Sequence, residues 1–282
     1  MSRRTIANPI KTTGVALHSG REITMVLAPA PSGSGIVFRR DDLGVEIPAL
    51  WDRVAETQLG TVIAQGRNGV AVIEHLMAAV AGAEIDDLLV IVDGGELPIL
   101  DGDALSYSRM IEQAGIDKQK GARTGFRLRK EIAVESGDAS ARLVPAQTRE
   151  FDFEITFATP AIGTQTLQWE FSREGFERDI APARTFGFIR DLEMLNKKGL
   201  ARGASFQNTI AIDGDKIVNK SLMRFADEFV RHKILDAVGD LALAGAPLIA
   251  RFEGRRSGHA LNNALLRALF ADPQNYDEIF LS

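Results

Sequence analysis

Glu74 and His75 stand side by side in "VIEHLMAAVAG" (72–82), a stretch otherwise made of apolar residues and Gly. Its spacing predicts a helix that buries itself and closes at Gly82 as its C′ residue. A carboxylate and an imidazole cost free energy there unless each finds a partner. Adjacent helical residues fan out by about 100°, so one or both must point into apolar surroundings or a cleft. Taken alone, the pair also suits a His satisfied by a backbone carbonyl and a Glu at the helix edge.

A second group lies in "FVRHKILDAVGDLALAG" (229–245). His232, Asp236 and Asp240 are spaced i, i+4 and i+8 and so share one helical stripe. A salt-bridged solvent face has the same spacing. Here, though, Asp236 and Asp240 are the only polar side chains in "ILDAVGDLALAGA" (234–246), which is unlike a solvated face. A third piece is His259 in "RRSGHALNN" (255–263), at the start of another helical pattern and behind Gly258. The chain has four His, and three of them fall in these settings.

In combination the residues describe a reaction. His75, His232 and Asp236 make a two-imidazole, one-carboxylate ligand set for a divalent metal, leaving one tetrahedral position open as catalytic zinc sites do. Such a metal lowers the pKa of its water towards ~7. Glu74, next to a ligand but not itself one, is placed as the general base. Asp240, one turn past Asp236, would hold His259 protonated, a cation for a developing oxyanion and a proton donor. The chemistry is metal-assisted hydrolysis of an acyl bond. The spacing is not that of the H-E-x-x-H metalloproteases.

The elements that must position these groups are readable in outline. "EITMVLAPA" (22–30) and "GIVFRRD" (35–41) read as strands with "PSGSG" between them as a hairpin connection, and "DLLVIVD" (87–93) as a buried strand. Asp103 is placed to cap a helix through "ALSYSRMIEQA" (104–114), closed by Gly115. "IDKQKGARTG" (116–125) is polar and aperiodic, and reads as a linker. Strands then resume in "FRLRKEIAV" (126–134), "FDFEITFATP" (151–160) and "TLQWEF" (166–171), followed by a helix over 226–244, a strand "LIARFEG" (248–254) and a last helix from 257. Each half runs strands, helix, strand, helix, which implies two α+β domains of like topology.

Composition narrows the partners. The chain has 282 residues, is 25% charged and 45% hydrophobic, and carries a net charge of −5. An acidic balance argues against a general nucleic-acid binder. There is no Cys, so any metal ligands must be His, Asp or Glu. No apolar segment follows Arg3 and Arg4, and "LALAGAPLIA" (241–250) is too short to span a bilayer. The expectation is a cytoplasmic protein without stable membrane insertion.

The motifs also carry a resemblance. "TGVALHSG" (13–20), "VIEHLMAAVAGAEIDDLLVIVDGGELPILDG" (72–102), "ARTFGFIRDLEML" (183–195), "FADEFVRHKILDAVGDL" (225–241) and "SGHALNN" (257–263) resemble the UDP-3-O-acyl-N-acetylglucosamine deacetylase family, the zinc enzymes of the committed step of lipid A synthesis. The resemblance implies two domains, about 1–119 and 124–282, each a sheet layered on two helices, with the active site at their junction. It implies an acyl-chain passage in an insert at about 187–214. It implies Zn2+, or Fe2+ in the same ligands, on His75, His232 and Asp236. Glu74 matches the family's base and His259 its cationic His, paired with Asp240. Thr185 matches a hydroxyl that supports the oxyanion. Lys233, Phe186 and Phe157 match substrate-contacting residues, and Gly60 in "ETQLGT" (56–61) stands on the substrate side where other members have Cys. The chain departs from the family pattern there, at Thr156 and at Ala139, with Arg142 nearby. These changes bear on uridine diphosphate binding and leave the metal chemistry alone. His18 falls in a matching motif without an assigned role. The protein is expected to be a monomer. Other readings of the same residues are a zinc amidohydrolase on another acylated amino sugar, or a non-catalytic metal-stabilised protein that binds nucleotide sugar or lipid.

Overall fold

Phe151, Phe153 and Ile155 alternate with Asp152, Glu154 and Thr156, and the strand Glu150–Thr156 buries the first three and leaves the others part-exposed. The same logic builds the rest of the molecule. The structure, a computed structural model that describes residues 1–281, is an α+β fold with two larger sheets.

The first sheet has five strands in the order Ile10–Val15, Glu22–Pro29, Leu88–Val92, Ile36–Arg40 and Val45–Pro48. Its central strand, Leu88–Val92, is antiparallel to Glu22–Pro29 and parallel to Ile36–Arg40. The second sheet repeats this plan around Leu248–Arg255, which is antiparallel to Ala139–Pro145 and parallel to Glu150–Thr156. Ile132–Ser136 and Thr164–Glu170 flank them, and Thr124–Leu128 and Tyr276–Phe280 extend the sheet to seven strands.

The α-helices among the described residues are α1 (Glu74–Gly82), α2 (Leu105–Ala114), α3 (Arg173–Gly175), α4 (Ile189–Lys197), α5 (Glu228–Ala242) and α6 (His259–Phe270), and four of them fall at matching places. α1 and α2 bracket the central strand of the first sheet in sequence, and α5 and α6 that of the second. α1 packs on α5, and the inner faces of both sheets contribute to one continuous apolar core. At the crossing α5 carries Gly239. A Cβ there would overlap the backbone carbonyl oxygen of Glu74. The absent side chain lets the two helices approach closely enough to bring the start of α1 against the middle of α5.

Most of the expected elements are present, and four readings need correction. Glu22–Pro29 and Ile36–Arg40 do not form a hairpin, because Leu88–Val92 lies between them and pairs with both. Residues 116–122 are not a linker but a strand, Ile116–Ala122, antiparallel to Ser2–Ile6. None of its seven residues is buried, so backbone pairing rather than a buried face holds it, and no apolar period marks it. Gly82 is not a C′ residue. It ends α1 inside the helix, where a Cβ would overlap the ring of Phe176, and its role is close packing. α2 begins at Leu105 with Ala104 as its N-cap, yet Asp103 still accepts the backbone N–H of Ser106 at 3.0 Å and supplies a capping bond.

Residues 186–217 form a small three-stranded sheet of Phe186–Phe188, Ile210–Asp213 and Lys216–Ile217, with α4 beside it. α4 buries no residue. No helix among the described residues is long and apolar enough to cross a membrane.

Candidate metal centre and active site

Glu74 opens α1, and the α1–α5 crossing sets it and His75 against the polar stripe of α5. His75, His232 and Asp236 are all buried, and one ligand atom from each lies within 4.8 Å of the others. Asp236 Oδ1 is 3.4 Å from His232 Nε2 and 3.7 Å from His75 Nε2. Both distances exceed a good hydrogen bond, and among the described residues Asp236 Oδ1 has no hydrogen-bond partner. Three potential ligand atoms thus converge at distances too long to share a proton, and His75 Nδ1 is also unpartnered, which is the fit a cation requires. His232 donates from Nδ1 to the carbonyl of Ala183 at 3.1 Å, fixing its ring so that Nε2 faces the gap. The His75 ring lies edge-on to His232 with centroids 5.0 Å apart.

Burial, then the neighbouring His232, push the His75 imidazole down to about 3. Burial also lowers His232. Both rings are therefore neutral at pH 7, with lone pairs available. Burial alone would raise Asp236, but the positive charges around it, the Lys233 ammonium and His259 among them, outweigh it and hold it ionised. Lys233 Nζ donates to Asp236 Oδ2 at 2.6 Å, so this cation is already engaged by a candidate ligand.

The acid–base groups sit beside this gap. Glu74 Oε2 accepts the backbone N–H of Thr61 at 2.9 Å, and Oε1 lies 4.0 Å from His259 Nε2. Burial lifts Glu74 to about 7, helped by the charges of Asp236 and Asp240 and opposed by His259. His259 Nδ1 donates to Asp240 Oδ2 at 2.8 Å. Burial would lower His259, yet the Asp240 carboxylate overrides it and holds the imidazole up at about 9. The pair is thus a base near neutrality facing a cationic acid.

Asp240 is itself fixed. Thr61 Oγ1 donates to its Oδ1 at 2.6 Å, and Asn262 Nδ2 to its Oδ2 at 2.8 Å. Replacing Asp240 by Asn keeps the shape and removes the charge opposite His259. The limb of kcat/KM against pH that needs His259 protonated is expected to move to lower pH, because the carboxylate that raises it is gone. A basic limb unmoved in Asp240→Asn would show that this pair does not set it.

The remaining expected residues divide. Phe186 meets His232 edge-on at 6.2 Å, and Phe157 meets Phe186 edge-on at 5.7 Å, so the two aromatics form one wall beside the ligand set. Thr185 is joined through its backbone to Gly102 and Ile210, and its hydroxyl makes no hydrogen bond within the described residues. Gly60 has φ +145°, and a Cβ there would lie 3.0 Å from Glu74 Oε1, so it makes room for the base. His18 lies nearby, its Nε2 3.0 Å from the carbonyl of Leu59. Thr61, Asn262, Gly239 and the Ala183 carbonyl escape a reading of the sequence. For Asn262 a signal exists, since it follows His259 by three residues and shares its helical face.

Lone pairs that converge with no proton between them call for a cation. A base within reach of that cation calls for water as the group it deprotonates. The class is that of metal-dependent hydrolases. Comparison with known proteins narrows it: the family model for UDP-3-O-acyl N-acetylglycosamine deacetylase matches residues 3–271. Proteins named UDP-3-O-acyl-N-acetylglucosamine deacetylase are similar along nearly the whole chain. That of Campylobacter concisus is 43% identical, covering 100% of this chain and 96% of its own. That of an Anaeromyxobacter species is 46% identical, covering 96% and 90%. That of Myxococcus xanthus is 45% identical, covering 98% and 88%. The chain belongs to the UDP-3-O-acyl N-acetylglycosamine deacetylase family.

Proposed function

We propose that the chain hydrolyses the N-acetyl group of a UDP-linked, 3-O-acylated N-acetylglucosamine and releases acetate. On this reading the reaction is the committed step of lipid A synthesis. His75, His232 and Asp236 hold a divalent cation, Zn2+ before Fe2+, and the cation supplies an acidified water and Lewis-acid polarisation of the acetamide carbonyl. Glu74 takes the proton of the attacking water, and as the C–N bond breaks the departing amine is protonated from the Glu74–His259 pair, releasing acetate. Its position on the Thr61 N–H keeps its free oxygen directed towards His259 and the ligand set. His259, held cationic by Asp240, donates to the oxygen on which charge develops, and the Thr185 hydroxyl supports the same oxygen. Phe186 and Phe157 flank the sugar and nucleotide, and Lys233 adds positive charge on the substrate side while steadying Asp236. The chain divides into domains at about 119 and 124, and the segment 187–214 houses the acyl chain.

The observation that carries this reading is the unpartnered, buried Asp236 Oδ1 facing two neutral imidazoles, with Glu74 beside them. Acetate release from UDP-3-O-acyl-N-acetylglucosamine tests it. Chelation is expected to abolish turnover and added zinc to restore it. A zinc-loaded enzyme that releases no acetate from this substrate would overturn the assignment.

A further inference from the structure

Thr61 is 2% exposed, and all three of its polar groups are engaged at the site. Its backbone N–H donates to Glu74 Oε2 at 2.9 Å. Its carbonyl accepts the backbone N–H of Ile73, the N-cap of α1, at 3.4 Å. Its hydroxyl donates to Asp240 Oδ1 at 2.6 Å, a bond between residues 179 positions apart. Among the described residues Thr61 is the one that hydrogen-bonds both carboxylates, and its hydroxyl is the one hydrogen-bond partner of Asp240 Oδ1.

The chain around Thr61 holds it in place. The strand Val62–Gln65 follows, paired on both sides with Val54–Glu56 and Asn68–Val70. Leu59, at φ +62°, and Gly60, at φ +145°, precede it. A Leu at positive φ is strained, and such strain persists only where the surroundings impose it. Here His18 Nε2 donates to the Leu59 carbonyl at 3.0 Å and holds the turn. The consequence lies between base and acid. Glu74 Oε1 and His259 Nε2 face each other at 4.0 Å from the starts of α1 and α6. Bonds of 2.9, 2.6 and 2.8 Å link Glu74 to Thr61, Thr61 to Asp240, and Asp240 to His259. With Oδ1 held by Thr61, the Asp240 carboxylate is kept from turning, and Oδ2 stays on His259.

We propose that Thr61 is a positioning residue for the hydrolysis proposed above, on which this inference rests: it registers Glu74, in the first half of the chain, against the Asp240–His259 pair in the second. The test uses the zinc-loaded enzyme and UDP-3-O-acyl-N-acetylglucosamine. Thr61→Val and Thr61→Ala both remove the hydroxyl and keep the backbone bond to Glu74, and Thr61→Ser keeps the hydroxyl. The first two are expected to lose roughly 10–100-fold in kcat per bound zinc with KM within about twofold, and Thr61→Ser to stay within about threefold of the parent. The imidazole Nδ1–H proton of His259, read by NMR without substrate, is expected to shift in Thr61→Val and Thr61→Ala and to keep its position in Thr61→Ser. A hydroxyl that only stabilised the fold would lower Tm and leave kcat per bound zinc unchanged. Parent kcat with an unmoved His259 resonance in Thr61→Val or Thr61→Ala would overturn the proposal, as would equal losses in all three variants. A parent that releases no acetate would sink the substrate reading instead, and the His259 resonance would still decide the role of Thr61.

Discussion

Replacing Glu74 by Gln is expected to lower kcat by about 10²–10⁴-fold, the range a positioned general base contributes. The change is nearly isosteric. A Gln at this position still offers its amide oxygen to the Thr61 N–H, so the side chain keeps its anchor. It also leaves His75, His232 and Asp236 untouched, so metal stoichiometry should remain that of the parent. What disappears is a carboxylate that burial has lifted to about 7, able to accept a proton near neutral pH and release it again. KM should change little, because the base acts on water rather than on the sugar. Single-turnover acetate release and metal analysis on the same sample check the expectation. A Glu74→Gln enzyme with kcat within a few-fold of the parent would remove Glu74 from the mechanism and favour His259 as the base.

A second large effect is expected at a residue with no side chain. Gly239→Ala places a methyl group on the backbone carbonyl of Glu74, an atom that cannot rotate away. Overpacking in a core costs about 1–3 kcal/mol and occasionally more, which for a chain of this size lowers Tm by roughly 2–5 °C. Activity should fall further than stability. The helix that carries His232, Asp236 and Asp240 must retreat from the helix that carries Glu74 and His75, and a displacement of about 1 Å can cost on the order of 100-fold in rate. A Gly239→Ala protein with the parent's Tm and kcat would show that the α1–α5 approach does not set the site.

The sequence made the candidate ligands legible because they are polar residues in apolar helices. Asp236 and Asp240 interrupt a run that has no other reason to bear charge, and the structure places both where that cost is offset by His232, Lys233, Thr61 and Asn262. Strands with one buried face, such as Glu150–Thr156, were legible for the complementary reason, a clean period of two. The strand Ile116–Ala122 was not, because neither of its faces is buried and pairing with the strand Ser2–Ile6, more than a hundred positions away in the chain, leaves no local trace. Thr61 and the Ala183 carbonyl were hidden for a similar reason. One lies in a loop without periodicity and the other is a backbone atom, and each acts only through contact across the fold.

The ligand set is split between two helices that are remote in sequence: α1 supplies His75 and α5 supplies His232 and Asp236. The ion would therefore act as a clasp as well as a reagent. Its affinity contains the free energy of holding α1 on α5, and by linkage the helix packing is strengthened by RT ln(1 + [M]/Kd) at free metal concentration [M]. Scanning calorimetry at buffered zinc concentrations should then show Tm climbing with the logarithm of free zinc, and the slope should collapse in His75→Ala, whose α5 ligands remain but no longer bridge the crossing.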